Sequence, residues 1–551
     1  MITTLSATPF PNQPPPYEGR NLYLTDVALQ EAVAREGAIH ATRTELEHWG
    51  ETLGSVETFA LADAANRNPP KLRSHDSRGE RIDAVEFHPA WHTLMRLATA
   101  AGEHCAPWVE GATGAHVARA AMYFLHAQVE NGTQCPLTMT YASVPVLRQE
   151  AGTNADIADV WLPRVLARDY DPRPLPIASK RAALIGMGMT ERQGGSDVRT
   201  NLTRAEPQSD GTWRLRGHKW FFSAPQCDGH LVLAQSVEGV SCFLLPHFLA
   251  DGSRNAVQIN RLKDKLGNRS NASSEVEFHD ALAWPLGEPG RGIATILAMV
   301  QHTRLDCVIG SAGMMRGALA YAVHHAIHRI AFGRTLAEQP LMMAVLGDMA
   351  LEVEGATALA LRLARTFDAT SNERDRALAR IITPAAKYWI CKRAPMLALE
   401  AMEVLGGNGY VEETPLARVY REAPVNSIWE GSGNVICLDV MRAARREPAT
   451  LDAALAEIDQ ARGGNRYLDA YAASLRELSA ATDDQAGARR FTQALAVALS
   501  ASLLVRHAPP FVADAFCASR LRANVAFSGA AFGTLPKDVD TATLIRRASG
   551  V

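Results

Sequence analysis

The sequence is best approached from one stretch, Asn426-Ser427-Ile428-Trp429-Glu430-Gly431-Ser432-Gly433-Asn434. It places a single carboxylate, Glu430, between a large aromatic ring and two glycines. Gly431 and Gly433 allow the backbone to approach a ligand closely and to adopt φ values that a side chain forbids. Apolar residues at 435–441 then return to helical spacing, so Glu430 is predicted to lie on a turn at the start of a helix.

This turn has two interpretations. A carboxylate beside Trp429 and shielded from water would have its pKa raised towards the range that a general base needs. The alternative is an ordinary glycine-rich helix start with Glu430 in solvent. The stretch alone does not choose between them, because short motifs often match by chance.

Length and composition indicate a globular protein of several domains. At 551 residues the chain is too long for one core, and 47% hydrophobic and 21% charged residues are ordinary values. The eight cysteines show no CxxC spacing, which argues against a zinc site and a disulfide framework and predicts a cytoplasmic location. The N-terminus does not resemble a secretory signal, and the most apolar stretch, 494–505, is too short for a membrane span.

Net charge names no partner, but its distribution is uneven. The chain carries a net charge of -3, whereas the residues after Val440 hold 14 Arg or Lys against 11 Asp or Glu. This asymmetry favours an anionic partner for the C-terminal part.

Periodicity divides the chain into helical and strand-rich parts. A proline-rich arm covers residues 1–20, and alternation broken by turn residues over 183–285 predicts a small antiparallel sheet or barrel. Helical spacing precedes the barrel with few strand cues, and it returns from Gly292. The predicted helices are Asp26–Glu36, Thr44–Ala64, Pro89–Ala101, Gly114–Thr133, Leu451–Ser479 and Asp483–Arg506. The predicted domains are 1–182 (arm and helices), 183–285 (barrel), 286–445 (helices) and 446–551 (helical C-terminal domain).

The loop at 188–198 is the first of four further candidate sites. Thr190 and Ser196 supply hydroxyl groups beside Gly194 and Gly195, which suits a phosphate or a flat heterocycle with carbonyl edges. The loop is neither a Rossmann GxGxxG motif nor a P-loop, so a nicotinamide or nucleoside triphosphate lacks its usual signature. A glycine-rich connection between domains is the alternative.

Three consecutive aromatic residues follow on a predicted strand. On a pleated strand Trp220 and Phe222 face one side and Phe221 the other. One face can pack in the core while the other covers a flat ring. The alternative is a simple core strand.

Two later segments complete the set. Arg329, in 328–334, is able to pair with a phosphate, although a solvated arginine is the alternative. The glycine-rich segment 405–410 predicts a helix C-cap that also leaves backbone bare for a ligand.

In this order and spacing, these segments resemble the acyl-CoA dehydrogenase superfamily. The corresponding motifs are 190–197 for T-E-x-x-x-G-S-D, 220–223 for W-(I/F)-(T/S), 329–333 for R-x-x-F-G, 405–410 for L-G-G-x-G-Y, and Glu430-Gly431. Segments 187–191, 217–223, 263–273 and 426–434 look like the AidB branch, which is linked to the response to DNA alkylation. That branch also adds a helical C-terminal domain, here about 100 residues after Ala444.

The resemblance implies a mainly α fold with a central β-barrel domain: a helical N-terminal domain, the barrel, a four-helix domain and an extra helical C-terminal domain. It implies a homotetramer with one FAD per subunit, with Arg329 and the 405–410 loop reaching the FAD of a neighbouring subunit. The implied cofactor-binding residues are Met189, Thr190, Gly195, Ser196, Phe221, Phe222, Ser223, Arg329, Phe332, Gln339, Gly406, Gly407, Trp429, Gly431, Ser432 and Asn434.

The resemblance also implies a reaction. Glu430 matches the base that removes the α-proton of an acyl-CoA thioester while the β-hydride passes to flavin N5. Two departures predict weak turnover: Trp429 stands where the family usually has tyrosine, and the loop 268–273 is rich in asparagine.

A second hypothesis is double-stranded DNA binding that protects DNA from alkylation, with little or no dehydrogenase activity. Arg442, Arg445 and Arg446 fall at i, i+3 and i+4, and Arg520 and Arg522 follow. Such arginines would contact phosphates without reading sequence. The same charges also fit a solvated helix face, and the motifs also fit a structural flavoprotein that has neither activity.

Overall fold

The computed structural model of the chain describes residues 11–37, 40–368, 370–479, 485–522 and 531–550. The helices of the N-terminal half are α1 (Val27–Arg35), α2 (His40–Gly54), α3 (Val56–Arg67), α4 (Pro89–Ala100), α5 (Ala106–Glu110), α6 (Ala115–His126), α7 (Gln134–Ala151) and α8 (Leu162–Val165). The later helices are α9 (Gly292–His328), α10 (Pro340–Arg365), α11 (Glu373–Val404), α12 (Pro415–Glu422), α13 (Gly433–Arg446), α14 (Pro448–Asp459), α15 (Arg466–Ser479), α16 (Ala488–His507), α17 (Pro510–Arg520) and α18 (Thr541–Ser549).

Strands form one large sheet and two short hairpins. The strands are β1 (Lys71–His75), β2 (Arg81–Glu86), β3 (Ile185–Gly188), β4 (Arg204–Pro207), β5 (Trp213–Ser223), β6 (Gly229–Ser236), β7 (Gly239–Pro246), β8 (Val257–Leu262), β9 (Ser273–Leu286), β10 (Ile330–Ala331) and β11 (Arg334–Thr335). In the large sheet the order is β3-β5-β4-β6-β7-β9-β8, and β5 also pairs with β9, which closes a barrel. This confirms the predicted fold class.

The local predictions need several corrections. The helix predicted over Thr44–Ala64 is two helices, because the Ser55 side chain accepts a hydrogen bond from the Thr58 N–H and caps α3. The helix predicted over Leu451–Ser479 is likewise two, α14 and α15. The β1–β2 hairpin was not predicted, because its short strands are half-exposed and rich in charge.

The described part of the proline-rich arm, residues 11–20, lies against α9. His324 bonds the Pro15 carbonyl at 2.8 Å, and the rings of Tyr17 and Tyr321 lie 4.3 Å apart. Residues 1–10 of the predicted arm, and residues 483–484 of the helix predicted over Asp483–Arg506, fall outside the described residues.

A bulge reverses the predicted facing of the aromatic residues on β5. The register between β5 and β9 shifts between Lys219 and Phe222, so these two side chains both point inward although three positions separate them. Phe222 is buried and stacks on His230, whereas Phe221 is 48% exposed. The prediction that Trp220 and Phe222 share a face is therefore wrong.

The helical parts pack into one extended core. Helices α9, α10 and α11 pack on one another, α13 packs on α11, and α14, α16, α17 and α18 pack against α10 or α11. Arg304 on α9 and Lys387 on α11 both bind the turn at 430–431, and one turn later in each helix Cys391 Sγ contacts the Cys307 carbonyl. Helices α9 and α11 therefore run parallel.

Within the described ranges, no helix is both long enough and apolar enough to span a bilayer. Those same residues contain no group of three or more His, Cys, Asp or Glu side chains arranged to hold a metal ion.

Candidate active site

Glu430 lies on a strained turn immediately before α13. Its φ of 60° is left-handed, a conformation that costs free energy in a residue with a side chain. Two cationic side chains hold the turn: Arg304 Nε donates to the Glu430 carbonyl at 3.0 Å, and Lys387 Nζ donates to the Gly431 carbonyl at 2.8 Å. The turn is therefore fixed from α9 on one side and α11 on the other.

The Glu430 carboxylate lies in a recess that solvent reaches only in part. Burial raises its pKa above the ordinary glutamate value, while a hydrogen bond from Thr303 and the charges of Lys387 and Arg304 partly offset that rise. Thr303 Oγ1 and Glu430 Oε2 are 2.8 Å apart. Of the two interpretations of this turn, the geometry matches the shielded carboxylate and not the solvated one.

Arg304 is itself fixed by a buried ion pair. Its Nη1 lies 2.7 Å from Asp439 on α13, and Asp439 also pairs with Arg380 at 3.1 Å. A buried charge without a partner is costly, so the ion pair with Asp439 keeps the Arg304 side chain in place beside the turn.

The barrel and α7 complete the recess. Asn268, in the loop between β8 and β9, donates to Glu422 at 2.9 Å, just before the turn that carries Glu430. The Cys135 thiol, near the start of α7, lies close enough to Glu430 for that charge to affect it, and burial raises the thiol pKa to about 12. Elements from three parts of the chain thus meet beside Glu430.

The Thr190 loop is anchored to β5. The Trp220 N–H donates to the Thr190 carbonyl at 2.8 Å, and Lys219 Nζ lies 2.7 Å from Glu191 in a fully buried ion pair. Burial alone would raise the pKa of Glu191, but the Lys219 ammonium and hydrogen bonds from Thr203 and the Leu202 N–H lower it to about 2. The loop is therefore held rigidly at the barrel surface.

Two pairings link this loop to the Glu430 turn. β5 ends at Ser223, which pairs with Ser273, the first residue of β9. The β8–β9 loop directly before Ser273 contacts Glu422 as described above. A series of contacts through β5, β9 and the β8–β9 loop therefore connects the Thr190 loop to the segment that leads into the Glu430 turn.

The polar groups of the Thr190 loop and of the end of β5 suit a flat ring that carries polar atoms at its rim. Within the part of the chain that the structure describes, the hydroxyls of Thr190, Ser196 and Ser223 have no intramolecular hydrogen-bond partner. Phe221 lies exposed on the same strand as Ser223, and a Cβ on Gly194 would meet nothing within 4 Å. Free hydroxyls beside an exposed ring and open backbone suit an isoalloxazine.

Three predicted residues use their side chains elsewhere. The Phe222 ring packs in the barrel core, so the prediction that it lines a flavin is wrong for its side chain. Asn434 Oδ1 accepts from Arg489 Nε on α16 at 2.9 Å, and the Trp429 indole donates to Asn426 at 2.9 Å. Of the others, Met189 and Gly195 lie in the anchored loop, and Ser432 is an exposed N-cap of α13.

A second group of predicted residues lies far from Glu430 in the same chain. Arg329 follows α9, about 39 Å along the helix axis from Thr303 at 1.5 Å per residue. Gly406 and Gly407 follow α11, about 28 Å along its axis from Lys387. Since α9 and α11 run parallel, this group gathers at one end of the bundle, together with Phe332 and Gln339.

The predicted DNA-contacting arginines divide into two sets. Arg442, Arg445, Arg446 and Arg522 are exposed. Arg520 is 5% exposed and pairs with Asp348 at 2.5 Å and Glu352 at 3.3 Å. The prediction that Arg520 contacts DNA is therefore wrong, because its guanidinium is used inside the protein.

Sequence reasoning missed the three side chains that hold the turn: Thr303, Arg304 and Lys387. None belongs to a recognised motif. Arg304 carries a usable signal, since a charge inside the long apolar segment 292–328 needs a buried partner.

A helical part, a closed barrel and a helical bundle around one recessed glutamate define the architecture of an acyl-CoA dehydrogenase. Profiles of three families match the chain: the AidB N-terminal domain at residues 12–172, the acyl-CoA dehydrogenase middle domain at 186–281 and its C-terminal domain at 290–445. Together they cover the chain up to the end of α13.

Relatives extend the match beyond that point. The "Putative acyl-CoA dehydrogenase AidB" of Escherichia coli (strain K12) is 50% identical over 507 residues, covering 92% of this chain and 93% of that protein. Acyl-CoA dehydrogenase family member 11 of Caenorhabditis elegans is 30% identical over 448 residues, covering 77% and 70%. The crystal structure of C. elegans ACDH-11 in complex with C11-CoA superposes with a TM-score of 0.84 at 27% identity, covering 92% and 91%.

The chain therefore belongs to the acyl-CoA dehydrogenase family, in its AidB branch.

Proposed function

We propose that this protein is an FAD-dependent acyl-CoA dehydrogenase of the AidB kind. The observation that carries the proposal is the Glu430 carboxylate, recessed, raised in pKa and held on a turn that Arg304 and Lys387 fix from two helices. A base of this kind is what removal of an α-proton from a thioester needs. Membership of a family of FAD-dependent enzymes supports the same reaction.

The residues of the site divide into two roles. Glu430 removes the α-proton of the acyl chain, and Thr303 and the turn keep its carboxylate aimed at the substrate. Thr190, Ser196 and Ser223 would hold the polar edge of the flavin, and Phe221 would lie against its ring. When bound, FAD supplies the acceptor for the β-hydride.

A homotetramer is part of the proposal. Arg329 and Gly406 are too far from Glu430 to contribute to the site of their own chain. Any FAD that they contact would therefore be bound at the site of another subunit. Phe332 is 99% exposed at the tip of the β10–β11 hairpin, and Leu341 and Tyr410 are 85% and 82% exposed. Burying these apolar side chains against a second copy would remove them from water.

Purified protein is expected to show a flavin absorption spectrum that bleaches anaerobically with an acyl-CoA. The panel should run from short branched to medium chains, because the C. elegans relative was crystallised with C11-CoA. Absence of flavin after reconstitution with FAD would overturn the proposal. If the protein binds FAD but no acyl-CoA of the panel reduces it, the protein is a flavoprotein without dehydrogenase activity.

DNA binding is the second candidate function, with protection against alkylation as its purpose. It is supported by the exposure of Arg442, Arg445 and Arg446 together on α13. Arg442 also lies 3.6 Å from Asp439, which reduces the free charge of this face.

Replacing Arg442, Arg445 and Arg446 with glutamine is expected to weaken duplex DNA binding equally for all sequences. The dependence of log affinity on log salt should fall by about one for each arginine that contacts a phosphate. A gel-shift salt titration measures both effects. The matched control replaces Arg78, Arg199 and Arg204, which are exposed elsewhere. No retardation of duplex DNA by the wild type at low salt would remove this candidate.

A further inference from the structure

The hydroxyl of Thr303 has two acceptors but only one proton. Its Oγ1 lies 2.8 Å from Glu430 Oε2 and 3.1 Å from the Val300 carbonyl. A threonine on a helix commonly bonds the carbonyl three or four residues earlier, so both arrangements are accessible to the same rotamer. Since a hydroxyl donates once and accepts twice, only one of the two bonds is donated at a time.

The two bonds match the two protonation states of Glu430. When Glu430 is a carboxylate it accepts hydrogen bonds only, so Thr303 must donate to it. When Glu430 is a carboxylic acid, its proton can be donated to Thr303 Oγ1, and the threonine proton then turns to Val300 O. Thr303 is 3% exposed, so water does not readily replace it in either state.

We propose that Thr303 is a positioning residue that keeps Glu430 in one orientation both before and after it takes up a proton. It donates a hydrogen bond to the carboxylate and accepts one from the acid, in which case its own hydroxyl donates to the Val300 carbonyl. The proposal deepens the proposed dehydrogenase function, on which its catalytic meaning rests. Its benefit is that the base receives the substrate proton without having to move.

The other groups around Glu430 do not offer this exchange. Arg304 and Lys387 donate to backbone carbonyls of the turn and act on the carboxylate only through their charge. Burial raises the pKa of the Cys307 thiol as it does that of Cys135, so both stay neutral near pH 7. Within the described part of the chain, Thr303 is the side chain that hydrogen-bonds the Glu430 carboxylate.

Infrared difference titration of full-length protein without acyl-CoA tests the contact directly. Spectra of protein labelled with ¹³C-glutamate, minus those of Glu430→Gln, isolate the C=O stretch of the protonated Glu430. In Thr303→Val that stretch is expected to move to higher frequency, because the acid loses its acceptor, and the protonation midpoint to rise by about one pH unit, because the carboxylate loses its donor. Thr303→Ser should restore both values.

Flavin reduction by acyl-CoA supplies the second readout. In Thr303→Val it is expected to be about 10-fold to 100-fold slower, and to stay slow at pH values well above the new midpoint. An unchanged C=O stretch in Thr303→Val, or a rate that recovers fully at high pH, would overturn the proposal. If the wild type reduces no flavin at all, the dehydrogenase function fails while the infrared result still decides the role of Thr303.

Discussion

Glu430→Gln is expected to lower the rate of flavin reduction by acyl-CoA by about 10²-fold to 10⁴-fold, the range over which general bases contribute. The amide cannot accept a proton at neutral pH, yet it matches the carboxylate in size and can still hydrogen-bond Thr303. Bound FAD should therefore be retained. Stopped-flow absorbance at the flavin band measures the rate, and the resting spectrum measures FAD content.

The same experiment includes a pH dependence. The base must be ionised to act, so the wild-type rate should rise as pH rises through the Glu430 pKa, at a pH above that of an ordinary glutamate. This rise of the rate with pH should be absent in Glu430→Gln. The control is Glu403→Gln, which changes an exposed glutamate on α11. It should leave both the rate of flavin reduction and its pH dependence unchanged. A wild-type rate in the Glu430 variant would exclude Glu430 as the base.

Arg520→Met is expected to destabilise the protein by about 3–5 kcal/mol, the usual cost of removing one partner from a buried ion pair. Arg520 lies between Asp348 and Glu352 on α10, and its removal leaves two buried carboxylates with Arg393 as the remaining cation beside Glu352. The free energy of unfolding, measured with urea at constant protein concentration, reports the loss.

The matched control is Arg522→Met, two residues further along and exposed. It should leave the urea midpoint unchanged. If Arg520→Met instead keeps full stability and loses DNA affinity, Arg520 would be a DNA-contacting residue after all. The pair of variants thus separates an internal role from a surface role.

Internal ion pairs change the meaning of the positive charge after Val440. Besides Arg520, Arg506 pairs with Glu457 at 3.1 Å and Arg547 with Glu31 at 2.5 Å. Arg520 and Arg547 therefore join the C-terminal helices to α10 and α1, whereas the Arg506–Glu457 pair links α16 to α14 within the C-terminal part. Part of the charge excess is therefore used within the protein, and the arginines exposed on α13 belong to the part that faces solvent.

The broad architecture follows from periodicity. The alternation over 183–285 and the helical spacing on both sides predict a barrel between helical parts, and the fold confirms it. Predictions of local detail were wrong in two kinds of place. At Ser55 one capping side chain ends a helical pattern and starts a new helix, and between Lys219 and Phe222 a bulge shifts the strand register. The proposed domain boundaries stay a prediction.

The candidate site shows the same division. The local pattern around Glu430 and Thr190 marks both segments, because glycines, hydroxyls and a lone carboxylate are legible in the chain itself. The sequence does not predict which side chains surround these segments, because Thr303 and Lys387 come from helices that are distant along the chain. Whether a carboxylate is a base or an arginine a surface charge depends on desolvation and on partners, and only packing in three dimensions sets those.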